Sequence, residues 1–200
     1  MKLRKPAVLL LIAVLTGTGF GVESHSPASA APSAHVHASL KPGAIIGKLY
    51  VPRYGKKYVR TIAESTLMSV LNGVGLGHYT GTQMPGEEGN FAIAGHRFGN
   101  GGPMLKIDKL KEGDYAFVST KDSWYTYKWI GTKVVKPSFV GVVYPVPEGL
   151  PSAQEGGRYM TFTSCTPVHV NTFRIAAWFE FVEETPAADG KPELLADALK

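Results

Sequence analysis

The sequence predicts an all-β domain of roughly seven or eight short strands. Between residues 43 and 184 the chain consists mostly of short apolar runs that are rich in β-branched and aromatic residues and separated by turn residues. The 23 glycines and 14 prolines indicate many turns, and one segment has a helical pattern. Such a set of strands fits a closed or nearly closed barrel, or a sandwich, and the periodicity does not choose between them.

The strand candidates follow one another along this region. Several alternate with a period of two, as in WYTYKW at residues 124–129. The candidates are residues 44–52, 58–62, 91–96, 115–120, 124–135, 159–165 and 173–183. The helical candidate is STLMSVLNG, with Ser65 or Thr66 as its N-cap and Asn72-Gly73 at its end.

Residues 1–22 have the composition of an export segment. Basic residues within the first five positions precede an uncharged apolar stretch at residues 6–22, and the small-residue sequence ASA follows at residues 28–30. The stretch is at the lower edge of the length that spans a bilayer, so it is either a cleaved signal peptide or a retained signal-anchor. We expect the domain at the extracellular face of the cell membrane, held by residues 6–22, or secreted if the ASA site is cleaved.

Two further segments flank the predicted domain. Residues 23–42 are rich in Pro, Ala and Ser and indicate a flexible linker, in which His35 and His37 are solvated. Residues 185–200 have a similar composition and are predicted as a detached C-terminal tail with a short helix at its end. The folded unit is therefore expected at residues 43–184.

Charge and motif content exclude several classes of function. The net charge is only +5, and the chain has no basic run interleaved with aromatic residues, so nucleic-acid binding is not expected. One cysteine and scattered histidines give no metal-ligand spacing. The sequence also has no phosphate-binding glycine loop and no G-x-S-x-G elbow. We therefore expect no cofactor and no metal.

Cys165 is the single cysteine of the chain, at the end of the strand-like run RYMTFTSCTP. A lone cysteine is commonly a small buried hydrophobe. Here the alternation places Cys165 on one face with Thr161 and Thr163, and Pro167 helps to end the strand. A thiol that projects from a strand end on a hydroxyl-lined face suits a nucleophile.

Three histidines of the predicted domain are candidate partners for this thiol. A thiol with a pKa near its usual value of about 8.5 needs a histidine or another cation to react at neutral pH. His96 directly follows an apolar strand and a glycine, His78 lies in GLGHYTG, and His169 lies four residues after Cys165. Position alone leaves the three open.

Arg174 begins the strand that follows Cys165. In RIAAWFEF the alternation predicts a core-facing set and places Arg174 on the opposite face; that set is Ile175, Ala177, Phe179 and Phe181. A guanidinium there can donate to a developing oxyanion or hold a substrate carbonyl. A surface ion pair is the alternative.

Three elements together resemble the sortases, the surface cysteine transpeptidases of Gram-positive bacteria. They are NFAIAGHRF around His96, TFTSC ending at Cys165, and Arg174 nine positions later. The family's cysteine motif is commonly written T-L-x-T-C, and here Phe162 and Ser164 preserve an apolar residue and a hydroxyl. The resemblance runs from about residue 45 to residue 184. The stretch GLGHYTGTQMPGEEGNFAIAGHRF is most similar to class E sortases of high-GC actinobacteria, with class F as the nearest alternative.

The resemblance implies a closed eight-stranded β-barrel with short helices and a thiol–imidazole–guanidinium site. Carried over residue by residue, it makes Cys165 the nucleophile and His96 the general acid/base. Arg174 becomes the group that stabilises the oxyanion or positions the substrate. His78 and His169 then have secondary roles.

The same resemblance implies how substrate is bound. Tyr79, in the GHYTG segment, corresponds to a class E tyrosine that is associated with preference for Leu-Ala-x-Thr-Gly over Leu-Pro-x-Thr-Gly. We predict Tyr79, Thr163 and Ser164 as substrate-binding residues.

The implied reaction has two acyl transfers. The Cys165 thiolate attacks the Thr carbonyl of a C-terminal sorting signal, and an amine of a peptidoglycan precursor then resolves the thioester. The implied partners are surface proteins that bear the signal, the precursor amine, and the membrane that holds the N-terminal anchor. A secreted cysteine hydrolase and a noncatalytic β-barrel binding module are the competing hypotheses.

Overall fold

The computed structural model describes residues 40–200. The predicted signal or anchor, and all of the linker but its last residues, lie outside this range. Within residues 40–200, no helix has the length and apolar character needed to cross a bilayer.

The described residues form a closed barrel. Its strands are β1 Ile45–Tyr50, β2 Val59–Glu64, β3 Leu76–His78, β4 Gly89–Gly95, β5 Tyr115–Ser119, β6 Ser123–Val135, β7 Arg158–Thr166 and β8 Phe173–Pro186. The α-helices are α1 Met68–Gly73 and α2 Glu193–Ala198, with short 3-10 helices at Pro52–Tyr54, Ile107–Lys109, Val140–Val143 and Ala187–Asp189. The strand order β1-β2-β3-β4-β7-β8-β6-β5 closes on itself, which decides for the barrel and against the sandwich. The predicted all-β, eight-stranded fold is confirmed.

Two strand pairs are parallel, β2 with β3 and β4 with β7. Because β4 and β7 run in the same direction, their C-terminal ends lie at the same end of the barrel. Strand β8 is antiparallel to β7, so it begins at that end. The last residue of β6, Val135, pairs with Arg174 near the start of β8, so β6 ends there too. Four strand ends therefore meet where Cys165 lies.

The core occupies the barrel interior, with a second apolar cluster outside β7 and β8. Ile175, Ala177 and Phe179 face the interior as the alternation predicts, and each is buried. On the opposite face of β8, Trp178 is also buried, against residues that include Val142 from the connection between β6 and β7. Both faces are thus covered at residues 159–164 of β7 and at residues 175–179 of β8, next to the site, which holds these strand ends in a fixed geometry.

Two local features differ from the sequence prediction. The three-residue strand β3 is absent from the candidate strands, because its centre is a glycine; a Cβ at Gly77 would collide with the carbonyl oxygen of Ser65. Helix α1 begins at Met68, with Leu67 as an N-cap that has no side-chain bond. Ser65 lies earlier and has a positive φ of 85°, and its hydroxyl accepts from the Leu67 N–H at 3.2 Å, so it shapes the approach to the helix.

The C-terminal segment packs more closely than its composition suggests. Strand β8 continues to Pro186, which pairs with Ser123 of β6, so the expected boundary at residue 184 falls inside a strand. Leu195 in α2 is fully buried. This differs from a detached tail, because a buried leucine is worth about 1.5–3 kcal/mol relative to an exposed one.

Candidate active site

Cys165 and Arg174 face each other across the β7–β8 pair. The antiparallel register places them directly opposite, and residues that are directly opposite project from the same face of a sheet. The Cys165 thiol is free and partly exposed. The sequence prediction placed both side chains on the non-core face, and the structure brings them together there.

The Arg174 guanidinium is held by backbone carbonyl groups. Its Nη1 donates to the carbonyl oxygen of Asn171 at 3.1 Å and to that of Phe173 at 3.0 Å. Among the salt bridges of residues 40–200, none involves Arg174. The surface ion pair that the sequence left open as an alternative is therefore not formed within this part of the chain, and N–H groups of the guanidinium remain for other partners.

His96 directly follows β4, the strand that pairs with β7. The last pair between the parallel strands β4 and β7 is Ala94 with Thr163. Two residues further on in each chain come His96 and Cys165, on the same face, because side chains alternate with a period of two. Neighbouring strands are about 4.8 Å apart, so the two residues lie side by side at the ends of adjacent strands.

The imidazole of His96 has one hydrogen-bond partner in a neighbouring helix. Its Nε2 lies 2.8 Å from Oδ1 of Asn72, at the C-terminal end of α1. The same oxygen accepts from Nδ2 of Asn100 at 2.9 Å. From the sequence, Asn72 is predicted only as the end of a helix, because its place at the site depends on how α1 packs, which no local pattern reveals.

His78 is a buried structural histidine. Its Nδ1 lies 2.7 Å from Oε2 of Glu64, and its Nε2 contacts the Thr82 hydroxyl at 2.9 Å and the Gln83 carbonyl at 3.1 Å. The ring also stacks on Phe91. Because both ring nitrogens have partners inside the fold, His78 has no free ring nitrogen to offer to a substrate.

His169 lies in the exposed loop between β7 and β8. Its ring packs on Phe98 with the ring centroids 4.0 Å apart. Phe98 is in the segment that follows His96, so this contact joins the loops on either side of the site. Three histidines were left open by the sequence. Of these, His96 is the one that lies on the same face as Cys165 and at the same level along the adjacent strands.

Tyr79 and Thr163 are brought together near the thiol. The Tyr79 hydroxyl lies 2.9 Å from Oγ1 of Thr163, which is on the same face of β7 as Cys165 and two residues before it. Oγ1 of Thr163 also lies 3.5 Å from the carbonyl oxygen of Ile93, to which it donates. Two of the three predicted substrate-binding side chains thus form one hydroxyl pair, in which Thr163 is buried and Tyr79 is partly exposed.

Ser164 lies on the other face of β7. Its side chain is buried, and its hydroxyl donates to the Gly95 carbonyl oxygen at 2.8 Å. The structure therefore separates Ser164 from the pair formed by Tyr79 and Thr163. The bond ties β7 to β4 immediately before Cys165 and His96, so it fixes the spacing of those two residues.

Within residues 40–200, no three His, Cys, Asp or Glu side chains lie close enough together to hold a metal ion.

Known proteins share this fold. A family model described as a sortase domain matches residues 49–182. This chain belongs to the sortase family. It is 39% identical over 165 residues to sortase SrtE1 of Streptomyces coelicolor and 36% identical over 162 residues to sortase SrtE2 of the same organism. These alignments cover 78% and 74% of the chain but 46% and 62% of the two relatives, so the chain matches about half to three fifths of their length.

A solved sortase E from Streptomyces avermitilis has the same barrel. It superposes with a TM-score of 0.72 at 36% identity, over 78% of this chain and 99% of that one. The resemblance to class E sortases is thereby confirmed. On this sortase barrel, a thiol, an imidazole and a guanidinium lie at one end on three adjacent strands, an arrangement able to carry out acyl transfer.

Proposed function

We propose that this chain is a sortase transpeptidase. It cleaves a C-terminal sorting signal of the LAXTG or LPXTG type between Thr and Gly, and it joins the released protein to an amine of a peptidoglycan precursor. The observation that carries the proposal is the set of three residues at one end of the barrel, in which Arg174 is directly opposite Cys165 and His96 directly follows the neighbouring strand β4.

The first acyl transfer forms a thioester. The Cys165 thiolate attacks the Thr carbonyl carbon, and the developing oxyanion is stabilised by guanidinium N–H groups of Arg174. The C–N bond to Gly then breaks, and the His96 imidazolium gives its proton to the departing amine.

The second acyl transfer restores the thiolate. The precursor amine gives a proton to His96 and attacks the thioester carbonyl, and the C–S bond breaks as the new amide forms. The carbonyl groups of Asn171 and Phe173 hold the Arg174 guanidinium in place throughout, so little reorganisation is needed between the two steps.

Tyr79 supports a preference for Ala over Pro at the second position of the signal. Each hydroxyl has one proton to donate. In the 2.9 Å bond between Tyr79 and Thr163, the phenol oxygen keeps at least one lone pair free to accept, whichever hydroxyl donates. A signal with Ala offers a backbone N–H there, and proline has none.

The location of the domain is part of the proposal. We expect residues 6–22 to hold it at the extracellular face of the membrane, because a lipid-linked precursor amine would be presented there. Fractionation of cells tests this expectation: full-length chain in the membrane fraction agrees with it, and mature protein that begins near Ala31 in the medium contradicts it.

A transpeptidation assay with a small panel of sorting peptides and amines tests the activity. Transfer to an amine should exceed hydrolysis at high amine concentration; persistent hydrolysis alone would indicate a cysteine hydrolase. His96→Ala is expected to lower the rate by about 10²–10⁴, the usual range for a general acid/base. Arg174→Ala is expected to lower it by about 10²–10³, the usual effect of removing an oxyanion donor. A folded chain whose Cys165 does not react with a small thiol-directed probe would instead be a binding module.

A further inference from the structure

We propose that the barrel end beside the active site docks on an anionic lipid bilayer through a basic face that carries exposed apolar side chains. This proposal goes beyond the transpeptidase activity, because it concerns the surface that the domain presents to a membrane. The basic face consists of six exposed residues, which are Arg53, Lys56, Lys57, Lys106, Lys109 and Lys111.

The positive charge of the described residues is concentrated in two segments. Residues 52–60 and 96–115 together contain eight Lys or Arg and three Asp or Glu, a net charge of +5. The other residues in the range 40–200 contain ten Lys or Arg and twelve Asp or Glu, a net charge of −2. Such an asymmetry directs one side of a protein toward an anionic partner.

Both segments lie at the barrel end that carries Cys165. Residues 52–58 connect β1 to β2, and residues 96–114 connect β4 to β5. Strand β4 ends beside Cys165. Because β1 is antiparallel to β2, β2 is parallel to β3, and β3 is antiparallel to β4, strand β1 runs in the direction of β4 and ends at the same end of the barrel.

Hydrogen bonds join the two connections into one surface. Nζ of Lys106 donates to the carbonyl oxygen of Tyr54 at 2.6 Å. The Tyr58 hydroxyl donates to the carbonyl oxygen of Pro103 at 2.7 Å. The lysines of the two connections therefore lie on one part of the surface.

Most of the basic face has no acidic partner. Arg53 pairs with Asp114, and Lys109 lies 3.6 Å from Asp108. Each lysine close to an anionic membrane surface strengthens binding by about fivefold. Within residues 40–200, four lysines of the basic face form no salt bridge, and they are Lys56, Lys57, Lys106 and Lys111.

Exposed apolar side chains favour a bilayer over a soluble anion as the partner. Leu105 is 45% exposed and directly precedes Lys106, and Phe98 is 59% exposed. Both flank Gly102, where an added Cβ would lie 3.5 Å from Cβ of Leu105 and 4.0 Å from Cα of Phe98. At a membrane surface, apolar side chains enter the boundary between headgroups and acyl chains while lysines meet the anionic headgroups. A soluble polyanion would leave Leu105 and Phe98 in water.

Docking in this way brings the cleft to the membrane surface. Phe98 packs on His169 in the loop between β7 and β8, so the apolar pair borders the cleft. Strand β1 begins at the opposite end of the barrel. The predicted linker has 20 residues, at up to about 3.3–3.6 Å each, so it is long enough for the cleft end to face the bilayer.

The test places an environment-sensitive fluorophore on Leu105→Cys in a full-length chain that also carries Cys165→Ala. Val182→Cys, at a position on β8 that is 46% exposed, is the control probe. Emission is measured with vesicles of phosphatidylcholine alone and with phosphatidylglycerol added, at low and at high salt. The same chain is compared in both kinds of vesicle, so attachment through residues 6–22 does not cause the difference.

Two triple variants test the role of charge. The first removes three lysines of the basic face and leaves Lys106, whose Nζ bonds to the fold; it is Lys56→Gln, Lys57→Gln and Lys111→Gln. The matched control removes three exposed lysines elsewhere and is Lys48→Gln, Lys121→Gln and Lys191→Gln. Thermal unfolding of each variant confirms that it is folded.

We expect a blue shift of the probe at position 105 when phosphatidylglycerol is present, and its loss at high salt. The basic-face variant should lose the shift, since docking weakens by about a hundredfold, and the control variant should keep it. No shift at position 105, an equal shift at position 182, or a shift that persists without the three lysines overturns the proposal. So does binding of polyphosphate without any response to vesicles, which would make the basic face a site for a soluble polyanion.

Emission is read without turnover, so docking and transpeptidation fail separately. A chain with Cys165 that docks but transfers no peptide refutes the proposed function alone. An active chain that does not dock refutes the proposal of membrane docking alone.

Discussion

Tyr79→Phe is expected to reduce the preference for Ala over Pro in the sorting signal. The substitution removes the phenol oxygen and leaves the ring, so packing at this partly exposed position changes little. In the wild type this oxygen shares a 2.9 Å hydrogen bond with the Thr163 hydroxyl and keeps at least one lone pair free to accept. The variant keeps the cleft shape but loses the acceptor for the backbone N–H of Ala.

The magnitude follows from one hydrogen bond. A neutral N–H···O bond contributes about 0.5–1.5 kcal/mol net, which corresponds to about a two- to thirteenfold change in the ratio of kcat/KM for the two peptides. The Pro peptide has no N–H to donate, so its kcat/KM should stay nearly constant. The expected change is therefore confined to the Ala peptide.

The assay is a double-mutant cycle. kcat/KM is measured with Leu-Ala-x-Thr-Gly and Leu-Pro-x-Thr-Gly peptides for wild type, Tyr79→Phe, Thr163→Val and the double variant. Because the two hydroxyls act as a pair, their effects on the Ala-to-Pro ratio should not be additive. Tyr144→Phe, at an exposed tyrosine, is the matched control. An Ala-to-Pro ratio in Tyr79→Phe equal to that of wild type would make Tyr79 a packing residue and refute the reasoning.

Three further predictions concern the fold that supports the site. His78→Ala leaves the buried Glu64 carboxylate without its imidazole and should lower the free energy of unfolding by about 3–5 kcal/mol in a urea titration. The exposed His169→Ala should lower it by less than about 1 kcal/mol. Equal losses in the two variants would show that the buried pair does not stabilise the fold. Burial raises the pKa of Tyr127, so stability that is complete below the ordinary tyrosine pKa of about 10 should fall as the pH rises above it. Tyr127→Phe should show a smaller fall between about pH 9 and pH 11, and an unchanged fall would contradict this cause. Leu195→Ala should lower the free energy of unfolding by about 2–5 kcal/mol, and no loss would mean that the C-terminal segment is detached.

Most of the barrel was predictable because its strands carry their own signal. The alternation along β6, β7 and β8 identified those strands and the core-facing residues of β8, such as Phe179. The periodicity did not predict that the sheet closes into a barrel. That prediction came from the family resemblance. Strand β3 escaped prediction because it is short, is centred on Gly77 and exists only through its pairing with β2 and β4.

The candidate site was predictable to the extent that its residues lie on strands. The alternation around Cys165 and Arg174 predicted which face of its strand each side chain occupies. The register of β7 with β8 agrees, because it pairs the two residues directly. The roles of His78 and Asn72 depend on contacts between elements distant in sequence, with Glu64 and His96 respectively. Ser164 was predicted to contact substrate, but its alternation already placed it on the face opposite Cys165, where the structure has it bonded to Gly95.

Detection of the acyl-enzyme is the most direct test of the central claim, that the Cys165 thiol carries the acyl group between two amines. The full-length chain is mixed with a sorting peptide in the absence of an acceptor amine, and the intact protein mass is measured over time. We predict an adduct equal to the peptide up to its Thr, located at Cys165, that disappears when an amine is added and yields the transfer product. Cys165→Ala should form no adduct and cleave no peptide, with its thermal unfolding unchanged. Peptide cleavage by Cys165→Ala at a rate near that of wild type would contradict the account.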